Sequence, residues 1–513
     1  MTEAAMPRAT PATPRATGTL AFLVALKVAI HLPAITKYGW FRDEFYYLSC
    51  AKRLAWGYVD QPPLSIALLA LVRHTLGDSL VAVRILPLLA GAAAVWLAGE
   101  LASAMGGGRT AQALAATATL AAPIYLALDH YYSMNALDLV FWELAALAFI
   151  RAVAGRTRDW AWLGVVLGLG LLNKLSMIWC AGGLAAGLLL TPHRRWLARP
   201  GPWIAAGIGA AIFLPHVFWQ VRNHWPTLEF MHNATAHKMA ATSITGFLMG
   251  QVLALNPLSA PLWIAGLWAS LAGGQRAWRA FGIQYAFVMV LLLAMGKARV
   301  EYLSPAYPAI FALGALALER ASAAPSRRWL RVPAFALPIA GLLLCAPLAL
   351  PVLPVPDFIR YQSALGRQPH TEERHRMGAL PQHFADMFGW PELARGAEHA
   401  AARLTPGERS RAVVIVDNYG EAGAIERLAR DVPPVICPHN SWWMWGTHGW
   451  DGGVAIVLAG DSADVARSFR SVEFVEATGH PLAMPYEQGM KFFIARGLTV
   501  PLAKAWAAAK NYN

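Results

Sequence analysis

Residues 82 to 104 read AVRILPLLAGAAAVWLAGELASA, with only Arg84 and Glu100 charged. A helix needs about 20 consecutive apolar residues to cross the hydrocarbon core of a bilayer, and this stretch meets that length. Apolar stretches recur near 18 to 37, 111 to 127, 135 to 152, 160 to 173, 175 to 191, 202 to 220, 246 to 271, 280 to 295, 303 to 318 and 332 to 352. Together they predict a mainly α, polytopic membrane protein with about eleven transmembrane helices. The pair of segments flanking Asn173 and Lys174 is the shortest adjacent pair, and half-length segments of that kind border a site more often than lipid.

Composition agrees. Of 513 residues, 57% are apolar and 14% charged, which leaves too little polar surface to coat soluble domains of that length. Residues 1 to 353 carry 27 Lys and Arg against 13 Asp and Glu, whereas residues 354 to 513 carry 16 against 17. The basic excess thus sits in the apolar part. A nucleic-acid binder would carry it on a soluble face or tail, so it reads as membrane topology plus an anionic ligand, with no nucleic acid. With a cytoplasmic N-terminus, the short loops on the inner side collect most of the arginines, among them Arg194, Arg195, Arg327 and Arg328. The positive-inside rule then places the C-terminal part outside the inner (plasma) membrane. Cys50, Cys180, Cys345 and Cys437 lie far apart without a CxxC pair, so no disulfide or metal framework is expected.

Three regions follow. Residues 1–17, rich in Ala, Thr and Pro, read as a disordered cytoplasmic tail, and 18–353 as the membrane part. Residues 354–513, entered through Pro351, Pro354 and Pro356, read as a small soluble α/β domain. In it, Arg411 to Asp417 and Gly453 to Ala459 are predicted strands, each followed by a helix, Tyr419 to Ala429 and Ser462 to Phe469.

The acidic residues of the membrane part are few, and the topology puts Asp43, Glu44, Asp60, Asp78, Asp129, Asp138, Glu229 and Glu301 on the outer side. Carboxylates beside a membrane are costly unless solvated, paired or metal-bound, which suggests a polar cavity open to the exterior, the alternative being solvated loop charge. The sharpest group is Tyr38-Gly-Trp-Phe-Arg-Asp43-Glu44-Phe-Tyr-Tyr47, then Tyr58-Val-Asp60-Gln61-Pro-Pro-Leu64. An Asp-Glu pair among aromatics at the end of a first helix can supply a general base, with the second carboxylate orienting it or holding a metal.

This pattern, Arg-Asp-Glu-x-Tyr-Tyr and then acidic-x-Pro-Pro-Leu, resembles the lipid-phosphate-sugar-dependent glycosyltransferases of family 39. That group of GT-C fold includes the protein O-mannosyltransferases and the lipid A aminoarabinose transferase. Asp129 to Trp142 stands where the family has its second acidic motif. Asn135 falls on the family's Asp, and Asp138 lies one turn on, on the same helix face. Leu171 to Ser176 resembles the family's Asn-Lys turn, and Lys297-Ala-Arg299-Val-Glu301-Tyr302-Leu-Ser-Pro-Ala-Tyr-Pro308 a further motif. Cations beside a tyrosine suit a phosphate, though lysines and arginines at a helix mouth also snorkel to headgroups.

The resemblance implies that a sugar passes from a polyprenyl-phosphate donor to a glycan, lipid or protein acceptor outside the membrane, with inversion. By motif, Asp43 is the base, Glu44 its partner, and Asp138 a third catalytic acid. Arg42, Tyr46, Gln61, Asn135, Lys174, Lys297, Arg299 and Tyr302 are the substrate-binding candidates. Asp60 matches a position that contributes to a metal site in the lipid A relative, with Gln61 standing where a Lys is usual, so a divalent metal ion is a candidate cofactor. His224, His232 and His237 read as surface histidines rather than its further ligands, because their spacing fits no helical ligand pair. The Trp442-Trp443-Met-Trp445 cluster stacks on sugar, lies at a membrane interface or packs a small core. The rival reading is a transporter or lipid-sugar flippase. Two equivalent halves would mark it, and the sequence shows no internal repeat.

Overall fold

The computed structural model describes residues 14–513, so most of the expected N-terminal tail, residues 1–13, lies outside the described residues. The chain divides into two compact units. One comprises Met1–Ile35, Arg84–Phe218 and Ala241–Leu353, and the other Thr36–Val83, Trp219–Ala240 and Pro354–Asn513. The last segments of the two units meet at Leu353 and Pro354, and the second unit also takes in two segments from the earlier chain.

The first unit is a bundle of apolar helices. Among the described residues, five helices of the chain have the length and apolarity to cross a membrane: Thr17–Ala34, Leu80–Ala104, Pro200–Arg222, Arg276–Met295 and Pro325–Ala349. A sixth counts if Ile244–Ala254 and Pro257–Leu271, bent by 90°, form one broken span. The chain is thus a multi-pass membrane protein, with fewer full-length spans than the eleven apolar stretches suggested. The difference has a physical cause. Several of those stretches form short helices such as Arg109–Leu120, Met177–Leu189 and Tyr307–Ala321. Two of them are apolar because they are packed among other helices: Ala111 to Leu120 and Tyr307 to Leu316 are all buried.

Two helices pack closely where glycines face each other. A Cβ on Gly266 would fall 2.2 Å from the Ile310 carbonyl oxygen, and one on Gly314 2.0 Å from that of Leu262. Helices Ala260–Leu271 and Tyr307–Ala321 therefore meet backbone to backbone, as membrane helices do through small residues. At the 90° break, Asn256 has a left-handed φ of 70°. Its amide donates to the Ala121 and Pro338 carbonyls at 3.2 and 3.0 Å, and its side-chain oxygen accepts from Leu258 N. Peptide groups freed at the break so find partners inside the bundle.

In the second unit a five-stranded sheet has the order β2-β1-β3-β5-β4. Its strands are β1 (Val413–Ile415), β2 (Val435–Ile436), β3 (Val454–Ala459), β4 (Phe469–Thr478) and β5 (Met490–Leu498). β1 pairs in parallel with β2 and β3, while β5 runs antiparallel to β3 and β4. Both expected strands and both expected helices are present, the latter as Tyr419–Leu428 and Ser462–Ala466. The fold class expected from the sequence, a polytopic helical bundle with a small α/β part near the C-terminus, is the one observed.

Candidate active site

The residues singled out by motif divide between the two units. In the second unit, helix Arg42–Ala51 opens with Arg42, Asp43 and Glu44 in its first turn. Carboxylates there meet free backbone N–H groups. Glu44 uses this directly: its Oε2 accepts from Phe41 N at 2.8 Å, and its side chain is buried. It caps the helix, a role the motif did not announce.

Asp43 is about one-third exposed, at 32%. Its Oδ1 accepts from the Tyr419 hydroxyl at 2.9 Å and lies 3.5 Å from Arg42 Nε. Among the described residues nothing donates to Oδ2. The Arg42 guanidinium reaches Tyr486 Oη at 2.7 Å and Asp386 Oδ2 at 3.7 Å. Burial pushes the Asp386 carboxyl up to about 7, against the pull of Arg42. Tyr46 donates to Asp60 Oδ1 at 2.8 Å, its oxygen also lies 2.9 Å from Ser441 Oγ, and its ring lies 4.8 Å from that of Tyr419. Burial raises Asp60 to about 6, opposed by the Tyr46 hydrogen bond, with the Asp43 charge adding to the rise and Lys238 opposing it. His439, its ring tilted 45° and 4.8 Å from that of Tyr419, is driven down to about 3 by burial and then by the Lys238 charge, which keeps it neutral.

Gln61 is buried with its amide 4.0 Å from Cys50 Sγ, inside the unit. No three His, Cys, Asp or Glu side chains among the described residues come together as a metal ion requires. Asp60 with a tyrosine and no further ligand does not fit a divalent metal, so no step is routed through one. The tryptophans are taken up by packing: Trp442 is buried, the Arg53 guanidinium lies 4.4 Å from the Trp445 ring, and Lys510 lies 5.3 Å from that of Trp443. Two hollows of about 300 and 400 Å³ in this unit are lined by Arg53, Glu426 and His448, and by Glu392, His399 and His480, away from Asp43 and Asp60.

In the first unit, helix Met134–Val153 carries Asn135 and Asp138 on one face, and helices Arg158–Asn173 and Met177–Leu189 are separated by an extended Lys174. This is the expected break, and it turns the lysine toward the carboxylate. Lys174 Nζ donates to Asn135 Oδ1 at 2.7 Å and lies 3.5 Å from Asp138 Oδ2, which also accepts from Ser176 Oγ at 2.9 Å. The Tyr302 ring stands 5.5 Å from the same ammonium. Asn173 donates to Met134 O at 2.9 Å and fixes the turn. Three motif residues from two distant segments so gather around one cation. Arg299 lies 3.7 Å from Glu301, and Lys297 is half-buried just before that turn.

Asp129, expected at an outer helix end, is instead sealed inside the first unit, 2.6 Å from the buried Lys27 ammonium. Sequence reasoning passed over Tyr419, Asp386, Ser441 and Tyr486. The one signal, and for Tyr419 alone, is the Asn418-Tyr-Gly-Glu-Ala-Gly423 run, whose glycines permit close approach to another helix.

Comparison with known proteins agrees with the motif resemblance. The family described as dolichyl-phosphate-mannose-protein mannosyltransferase matches residues 60–219. No curated protein matches the chain in sequence. In fold, the chain is similar to ArnT from Cupriavidus metallidurans in the apo state, with a TM-score of 0.63, 15% identity, and coverage of 93% of this chain and 98% of that one. The same protein bound to undecaprenyl phosphate gives 0.62 at 15% identity with the same coverage. Arabinofuranosyltransferase AftD from Mycobacteria gives 0.54 at 16% identity, over 94% of this chain and 40% of that one. The chain thus has the GT-C type of fold.

Proposed function

We propose that the protein is a membrane glycosyltransferase that moves a sugar from a polyprenyl-phosphate donor to a glycan, lipid or protein acceptor on the extracytoplasmic face of the inner membrane. The observation that carries this reading is the gathering of Asn135, Asp138 and Tyr302 around the Lys174 ammonium. Such a held cation, with one carboxylate already beside it, is suited to an incoming phosphate that hydrogen-bonds to it in place of Asn135. The similarity in fold to ArnT, a structure of which holds undecaprenyl phosphate, supports the donor class.

Roles are assigned within each unit. In the first, Lys174 contacts the donor phosphate, Lys297 and Arg299 supply further positive charge, and Asp138 orients Lys174. In the second, Asp43 is the general base: it takes the proton of the acceptor hydroxyl as the acceptor oxygen bonds to the anomeric carbon. The bond from that carbon to the phosphate oxygen breaks, and polyprenyl phosphate leaves with the electron pair. Attack from the face opposite the leaving group inverts the centre. No observation favours a transporter.

The test uses membranes containing the full chain and radiolabelled undecaprenyl-phosphate hexoses and pentoses, following release of undecaprenyl phosphate and transfer of label. Wild type is expected to transfer from at least one donor and Asp43→Asn to lose about 10²–10⁴-fold in rate, the usual contribution of a general base. Unchanged transfer by Asp43→Asn rules out the base assignment; a wild type inert toward every donor rules out the function.

A further inference from the structure

The base candidate is held from one side only. Both donors that reach Asp43, the Tyr419 hydroxyl and Arg42 Nε, fall on Oδ1. Tyr419 is itself confined: its ring lies 4.8 Å from those of both Tyr46 and His439, and the Arg42 guanidinium is 5.4 Å from its centroid. Two glycines bring its helix, Tyr419–Leu428, against helix Arg42–Ala51. A Cβ on Gly420 would lie 2.4 Å from Arg42 Cγ, and one on Gly423 2.8 Å from the Phe45 carbonyl carbon. The Asn418 side chain caps the helix through Gly420 N and Glu421 N and donates to Glu487 at 3.0 Å. The phenol therefore has no freedom to swing away from the carboxylate.

Resting on the reading of Asp43 as base, we propose that Tyr419 is its positioning residue: the hydroxyl pins Oδ1, fixes the plane of the carboxylate, and leaves Oδ2 as the oxygen that takes the acceptor's proton. A carboxylate anchored through one oxygen presents the other in a set direction, which is what a near-attack geometry needs. Burial raises the Tyr419 phenol well above its ordinary range, so it stays a donor at any working pH. The neutral His439 beside it adds no charge.

Donation to a carboxylate favours its charged form, so this role has a signature in pH. The charges acting on Asp43 and its surroundings are Arg42, Asp60 and Asp386, with Lys238 and Glu373 acting on the same cluster. On the Tyr419 helix, Glu421 accepts from Asp417 N and Asn418 N, Glu426 is paired with Lys52 and Arg53, and Arg427 with Asp78. On helix Leu64–Leu76 the ionisable residues are Arg73, which pairs with Asp78, and His74.

The experiment measures kcat/KM against pH for the full chain in nanodiscs, using the undecaprenyl-phosphate sugar that wild type transfers. Tyr419→Phe is expected to lower kcat by about 10–100-fold, the loss of one hydrogen bond to a charged group, with donor KM within about twofold of wild type. Its acidic limb should move upward, because the charged carboxylate loses a donor. Replacing Tyr419 with 3,5-difluorotyrosine keeps the shape and strengthens the donor, so the limb should move to lower pH; should the Phe variant fail to fold, this variant decides. A wild-type limb in both variants, or a rate loss without a limb shift, overturns the proposal. If Asp43→Asn abolishes transfer while neither Tyr419 variant moves the limb, this inference alone fails. If Asp43→Asn transfers normally, the base assignment fails first and takes this one with it.

Discussion

Replacing Asp129 with Asn leaves the Lys27 ammonium in the bundle with a neutral partner. Lys27 and Asp129 have side-chain exposures of 0% and 1% and lie 2.6 Å apart, and the ammonium also donates to the Tyr125 carbonyl at 3.1 Å. With an effective dielectric of about 20, their gross attraction at 2.6 Å is roughly 6 kcal/mol. Both ions have also been taken out of water, so the net worth of the pair is far smaller, while loss of one partner strands the other. Breaking such a pair costs about 3–5 kcal/mol. Replacing both ions with apolar residues of similar volume, Lys27→Met with Asp129→Leu, should be neutral or stabilising by up to about 4 kcal/mol. The measurement is the unfolding free energy in bicelles by steric trapping for both single variants and the double variant. Single variants within about 0.5 kcal/mol of wild type would refute the reasoning, because the site would then be admitting water or a third partner. The close fit supplies a check: a Cβ on Gly91 would stand 2.2 Å from Asp129 Oδ2, so Gly91→Ala should disturb the same pair.

Other outcomes are equally specific. Lys174→Gln should reduce transfer by about 10–100-fold, chiefly through donor KM, as expected for a lost hydrogen bond to a phosphate; an unchanged KM counts against its role. Glu44→Gln retains an oxygen that accepts from Phe41 N and should keep most activity, whereas Glu44→Ala should lose about 0.5–2 kcal/mol of stability; a Gln variant as inactive as Asp43→Asn would instead make Glu44 part of the chemistry. Asp386, raised to about 7 by burial against an ordinary value near 4, binds more protons folded than unfolded across that interval. Stability from this group is therefore present at low pH and falls as pH rises from about 4 through about 7, and Asp386→Asn should flatten that slope in thermal unfolding scans.

Legibility in the sequence followed distance along the chain. Asn135 and Asp138 share a helix face by spacing alone, and the Lys174 break showed as two apolar segments too short to span. The contact of Glu44 with Phe41 N was not legible, because a motif cannot distinguish an acid facing substrate from one three positions into a helix. β1 and β3 stood out as buried apolar runs, but β4 has only Phe469 and Val475 buried among its residues, so its pattern is too sparse to announce a strand. Tyr419 showed only as a member of the glycine-bearing Asn418 to Gly423 run: it meets Asp43 across 376 residues, and that run names no partner.

That separation imposes an order of events on synthesis. Ribosomes add about 5–20 residues each second, so the segment bearing Asp43 emerges roughly 20 to 75 s before the tyrosine that grips it, given the interval of 376 residues. The carboxylate waits ungripped while the helices in between are inserted. A chain cut short between residues 43 and 419 therefore carries the Asp43 carboxylate without the hydroxyl that holds it.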